Sequence, residues 1–218
     1  MKFDAVIFDL DGTLLDTLAD LADSANRVLE RRGFAPHPLN AYRYFVGNGI
    51  KSLMYRAVPE GTPDSVTEQL LAQYREEYRK NLVHKTKPYA GVCDLVRALR
   101  AQGIRTAVLS NKPDPHTKKL IETFFAPEDF LRVYGERAGI PRKPDATSCR
   151  LLMEELGVLP GRTAYVGDSG SDMVTAKNAG VAAIGAEWGF RDRQELLQNG
   201  ADFIAESPAA LAAFCLEN

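Results

Sequence analysis

Sulfur and imidazole are scarce in this chain. Three cysteines (Cys93, Cys149 and Cys215) and three histidines (His37, His84 and His116) are scattered singly along 218 residues. The cysteines have neither the close spacing of a thiolate metal site nor the even number of a disulfide framework, so reduced thiols in a cytoplasmic protein are expected. The isolated histidines carry no ligand pattern and read as bystanders. No apolar run approaches the ~18 residues of a membrane span. The N-terminal stretch MKFDAVIFDLDGT is too short and too acidic for a secretory leader. A dominant charge sign is missing too: 27 basic against 29 acidic residues leave a net charge of -2. That balance gives no electrostatic case for nucleic acid or an anionic membrane as partner. Repeats and low-complexity tracts are absent, and a hydrophobic content of 45% excludes a disordered chain.

What is present is an alternation of short apolar runs with helical ones. Strands are expected at 3–9, 104–110, 131–135, 163–168, 181–186 and 202–205, each bounded by turn residues. Helices are expected at 93–103, 145–157 and 171–180, each closing on glycine, with Asp145 capping the second. This order predicts an α/β protein with a parallel sheet covered on both faces. One block breaks the alternation. From Leu15 to Lys85 only helical patterns occur, at 17–33, near 40–57 and at 64–82. The block is too long for a loop and reads as an inserted four-helix-bundle cap over 15–86, with the core formed by 1–14 and 87–218. Hinges are expected near Leu15–Asp16 and Lys85–Pro88.

In an open parallel sheet, ligands bind beyond the carboxyl ends of the strands. The polar residues falling there are Asp9 and Asp11, Ser110 and Asn111, and Asp168 and Asp172, with Lys143 in a nearby loop. Gly12 supplies a turn that lets Asp9 and Asp11 converge. Asp168 and Asp172 can face one site from a strand end and the first turn of the next helix. Each element alone also suits a plain capping turn or a solvated charge. Together they describe phosphoryl transfer. One carboxylate attacks phosphorus, a second handles the leaving-group proton and then activates water, and a lysine with a hard cation such as Mg2+ neutralises the transferring group.

The motifs resemble the haloacid dehalogenase superfamily of phosphohydrolases. DLDGT (9–13), Ser110 after an apolar strand, Lys143 before Pro144, and GDSGSD (167–172) stand in that family's order along the chain. The resemblance implies a Rossmann-like core with a C1-type cap. VGNG (46–49), PYAGVCDLVRAL (88–99), SNKPD (110–114) and AEWGFRD (186–192) are similar to the phosphoglycolate phosphatase-like subgroup. It also implies roles. Asp9 is the nucleophile and a metal ligand; Asp11 is the general acid/base and gives its backbone carbonyl to Mg2+. Ser110 and Asn111 hold the phosphoryl oxygens, Lys143 bridges Asp9 and the phosphate, and Gly12 and Thr13 shape the phosphate loop. Asp168 completes the metal site, and Asp172 positions a metal-bound water or Lys143. Asp11 favours a phosphatase, because dehalogenases lack an acid at that place. Many relatives carry a further acid within GDxxxD, where this chain has Gly170 and Ser171.

The expected substrate is a small phosphorylated metabolite such as phosphoglycolate. Arg43, Asn48 and Lys51, near the Gly47–Gly49 loop, are candidates to meet a substrate carboxylate from the cap, and Trp188 either lines the entrance or packs on the core. A sugar-phosphate mutase, an inorganic pyrophosphatase and a non-enzymatic phospho-aspartate switch are the alternatives on the same residues. Nothing in the sequence selects between a monomer and a homodimer.

Overall fold

Four consecutive apolar residues, Ala5–Phe8, form β1 and are buried on both faces. Such a run has no solvent side to present and belongs at the centre of a parallel sheet. The computed structural model, which describes residues 2–217, places it there. After β1 come a short β2 (Leu15–Asp16), helices α1 (Leu18–Arg31), α2 (Leu39–Phe45), α3 (Gly49–Ala57) and α4 (Asp64–Lys80), and a short β3 (Lys87–Pro88). The alternating part then runs α5 (Val92–Ala101), β4 (Arg105–Pro113), α6 (Asp114–Phe124), β5 (Arg132–Glu136), α7 (Thr147–Leu156), β6 (Thr163–Gly167), α8 (Gly170–Ala179), β7 (Ala182–Ala186), α9 (Arg193–Gln198), β8 (Phe203–Ala205) and α10 (Pro208–Leu216).

Six strands make one sheet in the order β5-β4-β1-β6-β7-β8, all pairs parallel. β1 therefore lies between β4 and β6, with Phe8 opposite Val108 on one side and Val166 on the other. This position brings three strand ends to one spot. Most observed strands match their expected spans to within two residues. Among the six expected strands β4 is the exception, since a register shift after Leu109 lets Pro113 pair again with Glu136, and the two-residue β2 and β3 were not expected at all. The motif SNKP thus belongs to a strand rather than to a loop.

The four helices α1–α4 fall between β2 and β3, which pair antiparallel with Leu15 opposite Pro88. α1 turns Leu21, Ala25, Val28 and Leu29 inward, and α4 answers with Leu70, Leu71, Tyr74 and Tyr78. Glu77 on α4 receives Arg27 and Arg31 from α1, at 3.1 and 3.0 Å. The expected cap at Asp145 lies outside the helix. Ala146 holds the cap position of α7, while Asp145 accepts the Thr147 N–H at 2.8 Å. Helices α9 and α10, not foreseen from periodicity, are started by side chains: Asp192 accepts from the Glu195 N–H, and Ser207, with Pro208 next to it, accepts from the Ala210 N–H. No described helix is long and apolar enough to cross a membrane.

Candidate active site

Asp9 is the first residue beyond β1, and its N–H is fixed to the Val166 carbonyl at 2.8 Å. Its side chain emerges at the floor of a cavity shared with Asp11, Ser110 and Asp168, under a roof of Val46, Gly47, Ile50 and Leu53. Lys143 Nζ lies 2.7 Å from Asp9 Oδ1 and 2.7 Å from Asp172 Oδ1. Asp168 follows β6. Its Oδ1 accepts the Thr13 hydroxyl at 3.2 Å, and its Oδ2 accepts the Phe190 N–H at 2.8 Å.

These carboxylates need space, and glycine provides it. A Cβ on Gly12, whose φ is +88°, would stand 2.2 Å from Asp168 Oδ2. A Cβ on Gly189 would reach the Asp168 side chain at 2.2 Å and the Gly12 carbonyl at 2.5 Å. Asp168 is thus approached at two positions, 12 and 189, that can carry no side chain.

Oxygens of Asp9, Asp168 and Asp172 all come within 4.8 Å of one another, and all three residues are buried. Lys143 pairs with two of these three buried acids, Asp9 and Asp172, so negative charge is in excess. Burial, followed by repulsion from Asp172, pushes the Asp9 carboxyl well above the ordinary carboxylate range, against the pull of Lys143. Burial and Asp172 push Asp168 up to about 7. Burial opposes the charge on Lys143, yet Asp172 and Asp9 hold its pKa well above that of a free lysine. A hard divalent cation fits this all-oxygen set and would relieve the repulsion. Asp172 is the least available of the three. Its Oδ2 accepts from Ser169 N and Oγ at 3.1 and 2.6 Å, closing a capping box on α8, while Oδ1 takes Lys143. Its two oxygens thus hold Lys143 and the helix start together, which leaves Asp9 and Asp168 better placed as ligands.

Other expected contacts are redirected. The Asn111 amide does not present itself to a phosphoryl group: Oδ1 accepts the Lys143 N–H at 2.9 Å, and Nδ2 donates to the Lys143 and Gly47 carbonyls, both at 3.1 Å. It clamps the lysine loop and the α2–α3 turn to β4. Ser110 lines the cavity and its Oγ accepts the Lys112 N–H at 3.2 Å, so its hydroxyl hydrogen can serve an oxygen placed there. Thr13 and Gly12 support Asp168 instead of lining the cavity. Arg43 is spent on backbone, donating to the Phe190 and Gly189 carbonyls at 2.9 and 2.6 Å. Asn48 is exposed at the start of α3. Lys51 pairs with Glu68 at 2.6 Å on the outer face of the helices, away from the cavity. Trp188 packs rather than guards the entrance, with Nε1 donating to the Thr13 carbonyl at 2.9 Å.

Two cationic residues in the cavity wall were not singled out from sequence. Lys112 is buried, and its Nζ contacts Asp11 Oδ1 and Oδ2 at 2.8 and 3.1 Å, while Thr17 donates to Asp11 Oδ1 at 2.7 Å. The Tyr78 ring of α4 covers Lys112 Nζ at 4.7 Å. Asp11 therefore stands apart from the three-acid cluster, neutralised by its own lysine. A lysine inside a strand that carries a motif was the available signal. The second residue, Arg191, follows the Gly189–Phe190 segment and lines the cavity from the side opposite Lys112's strand.

Sequence and structure comparisons identify the family. The family model for haloacid dehalogenase-like hydrolases matches residues 6–186. A phosphoglycolate phosphatase of Pseudomonas putida is 34% identical over 97% of this chain and 79% of that protein. One from Rhodospirillum rubrum is 34% identical over 95% and 88%. The crystal structure of a proposed phosphoglycolate phosphatase of Lactobacillus delbrueckii subsp. bulgaricus superposes with a TM-score of 0.94 at 31% identity, covering 100% of both chains. The chain belongs to the haloacid dehalogenase-like hydrolases.

Proposed function

We propose that the protein is a Mg2+-dependent phosphatase of a small phosphorylated metabolite, of the phosphoglycolate type, working through a phosphorylated Asp9. The observation that carries this reading is the pairing of two differently neutralised carboxylates at one strand exit. Asp9 shares Lys143 with Asp172, and Asp11, two residues on, is held by Lys112 and Thr17. Two acids set in separate environments suit two separate roles.

In this reading Asp9 Oδ2 attacks phosphorus, since Oδ1 is held by Lys143. A P–O bond to Asp9 forms as the bond to the leaving oxygen breaks. Asp11 gives that oxygen a proton, then takes one from the water that cleaves the acyl phosphate. Ser110 and Lys143 hold the phosphoryl oxygens, and Asp172 and Asn111 keep Lys143 in place. Mg2+ bound at Asp9, Asp168 and the Asp11 carbonyl would supply charge neutralisation. Residues 1–14 and 87–218 form the catalytic core, and 15–86 a cap that closes over it about the β2–β3 pair. The names of the similar phosphatases support the substrate class. A balanced charge and the lack of a membrane-spanning helix among the described residues suit a cytoplasmic enzyme of free metabolites.

The test is phosphate release from a panel of phosphomonoesters with Mg2+ and with EDTA. Release should require the metal and fall by at least about 10^4-fold in Asp9→Asn. Turnover close to wild type in that variant would remove the nucleophile assignment. Slow release that a sugar bisphosphate strongly stimulates would favour a mutase, and preference for pyrophosphate a pyrophosphatase. Stable labelling of Asp9 without turnover would favour a phospho-switch.

A further inference from the structure

The Arg191 side chain is only 10% exposed, yet part of its guanidinium has no protein partner. Nη2 donates to the Val46 carbonyl at 3.0 Å, Nε lies 3.3 Å from Glu195 Oε1, and the guanidinium sits 5.1 Å from the Tyr44 ring centre. Nη1 is buried with no acceptor. A buried guanidinium N–H left without an acceptor is costly, and a carboxylate oxygen is the strong acceptor for it. The two lysines of the site are engaged by Asp9, Asp11 and Asp172. Arg191 is paired with Glu195 through Nε but keeps Nη1 without a protein acceptor.

Its place in the cavity says which end of a substrate it meets. The phosphoryl end belongs with Asp9 and Ser110 on the floor. Arg191 reaches the roof, where it bonds Val46. Beside polar residues such as Ser169 and Asn111, the lining carries the apolar side chains of Leu21, Val46, Ile50, Leu53 and Phe190. Those apolar side chains give no partners to sugar hydroxyls lying against them. They accommodate a short methylene link.

We propose that Arg191 is a specificity-determining residue that binds a carboxylate on the far end of the substrate, selecting short phosphoesters of hydroxycarboxylic acids. The proposal rests on Asp9 being the phosphoryl acceptor. The test compares 2-phosphoglycolate with ethyl phosphate, which has a similar length but no carboxylate. Wild-type kcat/KM should favour 2-phosphoglycolate by at least about tenfold, the scale of one charged hydrogen bond. Arg191→Gln should lose most of that ratio, and Arg191→Lys should keep part of it. Equal losses on both compounds, as expected if Arg191 only fastens the roof to the core, would overturn the proposal. So would an unchanged ratio. The same pair is titrated calorimetrically against Asp9→Asn and Asp9→Asn/Arg191→Gln in Mg2+. There 2-phosphoglycolate should bind at least about tenfold tighter than ethyl phosphate only when Arg191 is present. Failure of wild type to hydrolyse any phosphoester rejects the phosphatase reading. An equal binding ratio in the two variants rejects the role of Arg191.

Discussion

Asp11 and Lys112 form a pair that neither residue's position in the motif announces. Lys112 is buried and lies within hydrogen-bond distance of both Asp11 oxygens. Removing one partner of a buried pair leaves the other uncompensated. If Asp11 protonates the leaving group, its loss must hurt poor leaving groups most. Asp11→Asn should thus lower kcat by roughly 10^2–10^4-fold on an alkyl phosphate and far less on p-nitrophenyl phosphate, whose leaving group needs little protonation. Lys112→Met should show the same leaving-group pattern at smaller amplitude, since Lys112 acts through Asp11. A loss in Lys112→Met that is equal for both substrates would mean that the lysine merely supports the fold. Presteady-state and steady-state rates on the two substrates decide between these outcomes.

At the scale of elements, the segment that returns from the helical block to the sheet is fastened by one acid. Asp20 on α1 accepts the Lys85 N–H at 2.8 and 2.9 Å, the Thr86 N–H at 2.8 Å and the Thr86 hydroxyl at 2.8 Å. It is 1% exposed, so water cannot replace it. Asp20→Ala leaves those donors unpaired and should cost about 3 kcal/mol, seen as a lower urea midpoint with an unchanged slope. Asp20→Asn should cost about half as much. Side-chain targets of this kind explain what was and was not legible in the sequence. The strands were legible because a strand buried on both faces must be an apolar run, and β1 and β6 are such runs. Asp9 and Asp168 could be brought together because their strands end at one edge of the sheet, whereas Lys143, in the loop after β5, was added because a cluster of acids needs a cation. Asn111, Arg43 and Lys51 were misdirected because their partners are chosen by tertiary packing: Arg43 bonds carbonyls 146 and 147 positions away. α9 and α10 were passed over because α9 is short and α10 is apolar around most of its surface, so periodicity was weak. Their start signals, Asp192 and Ser207–Pro208, were present all the same.

At the scale of the whole molecule, the buried acid cluster ties folding to pH and, on the proposed reading, to a divalent cation. Asp168 has its proton affinity raised in the fold, by burial and by Asp172, to a pKa of about 7. Between its ordinary value near 4 and about 7, the unfolded chain has released that proton and the folded, metal-free chain still holds it. The folded state then binds more protons, so its stability falls as pH rises through this window. The contribution is full below about pH 4 and is lost as pH passes 7, with a ceiling of roughly 4 kcal/mol from this group. Asp9 is displaced in the same direction, first by its own burial. A divalent cation needs the ionised carboxylates and competes with the proton, so its stabilisation grows with pH. Thermal melts of EDTA-treated protein should show a midpoint that drops between pH 5 and pH 8, and millimolar Mg2+ should raise it more at pH 8 than at pH 5. Asp168→Asn, which keeps the shape and removes the charge, should reduce the metal-free pH dependence and abolish most of the Mg2+ increment. An increment that is the same at both pH values, or that survives in Asp168→Asn, would place the cation away from these strand ends.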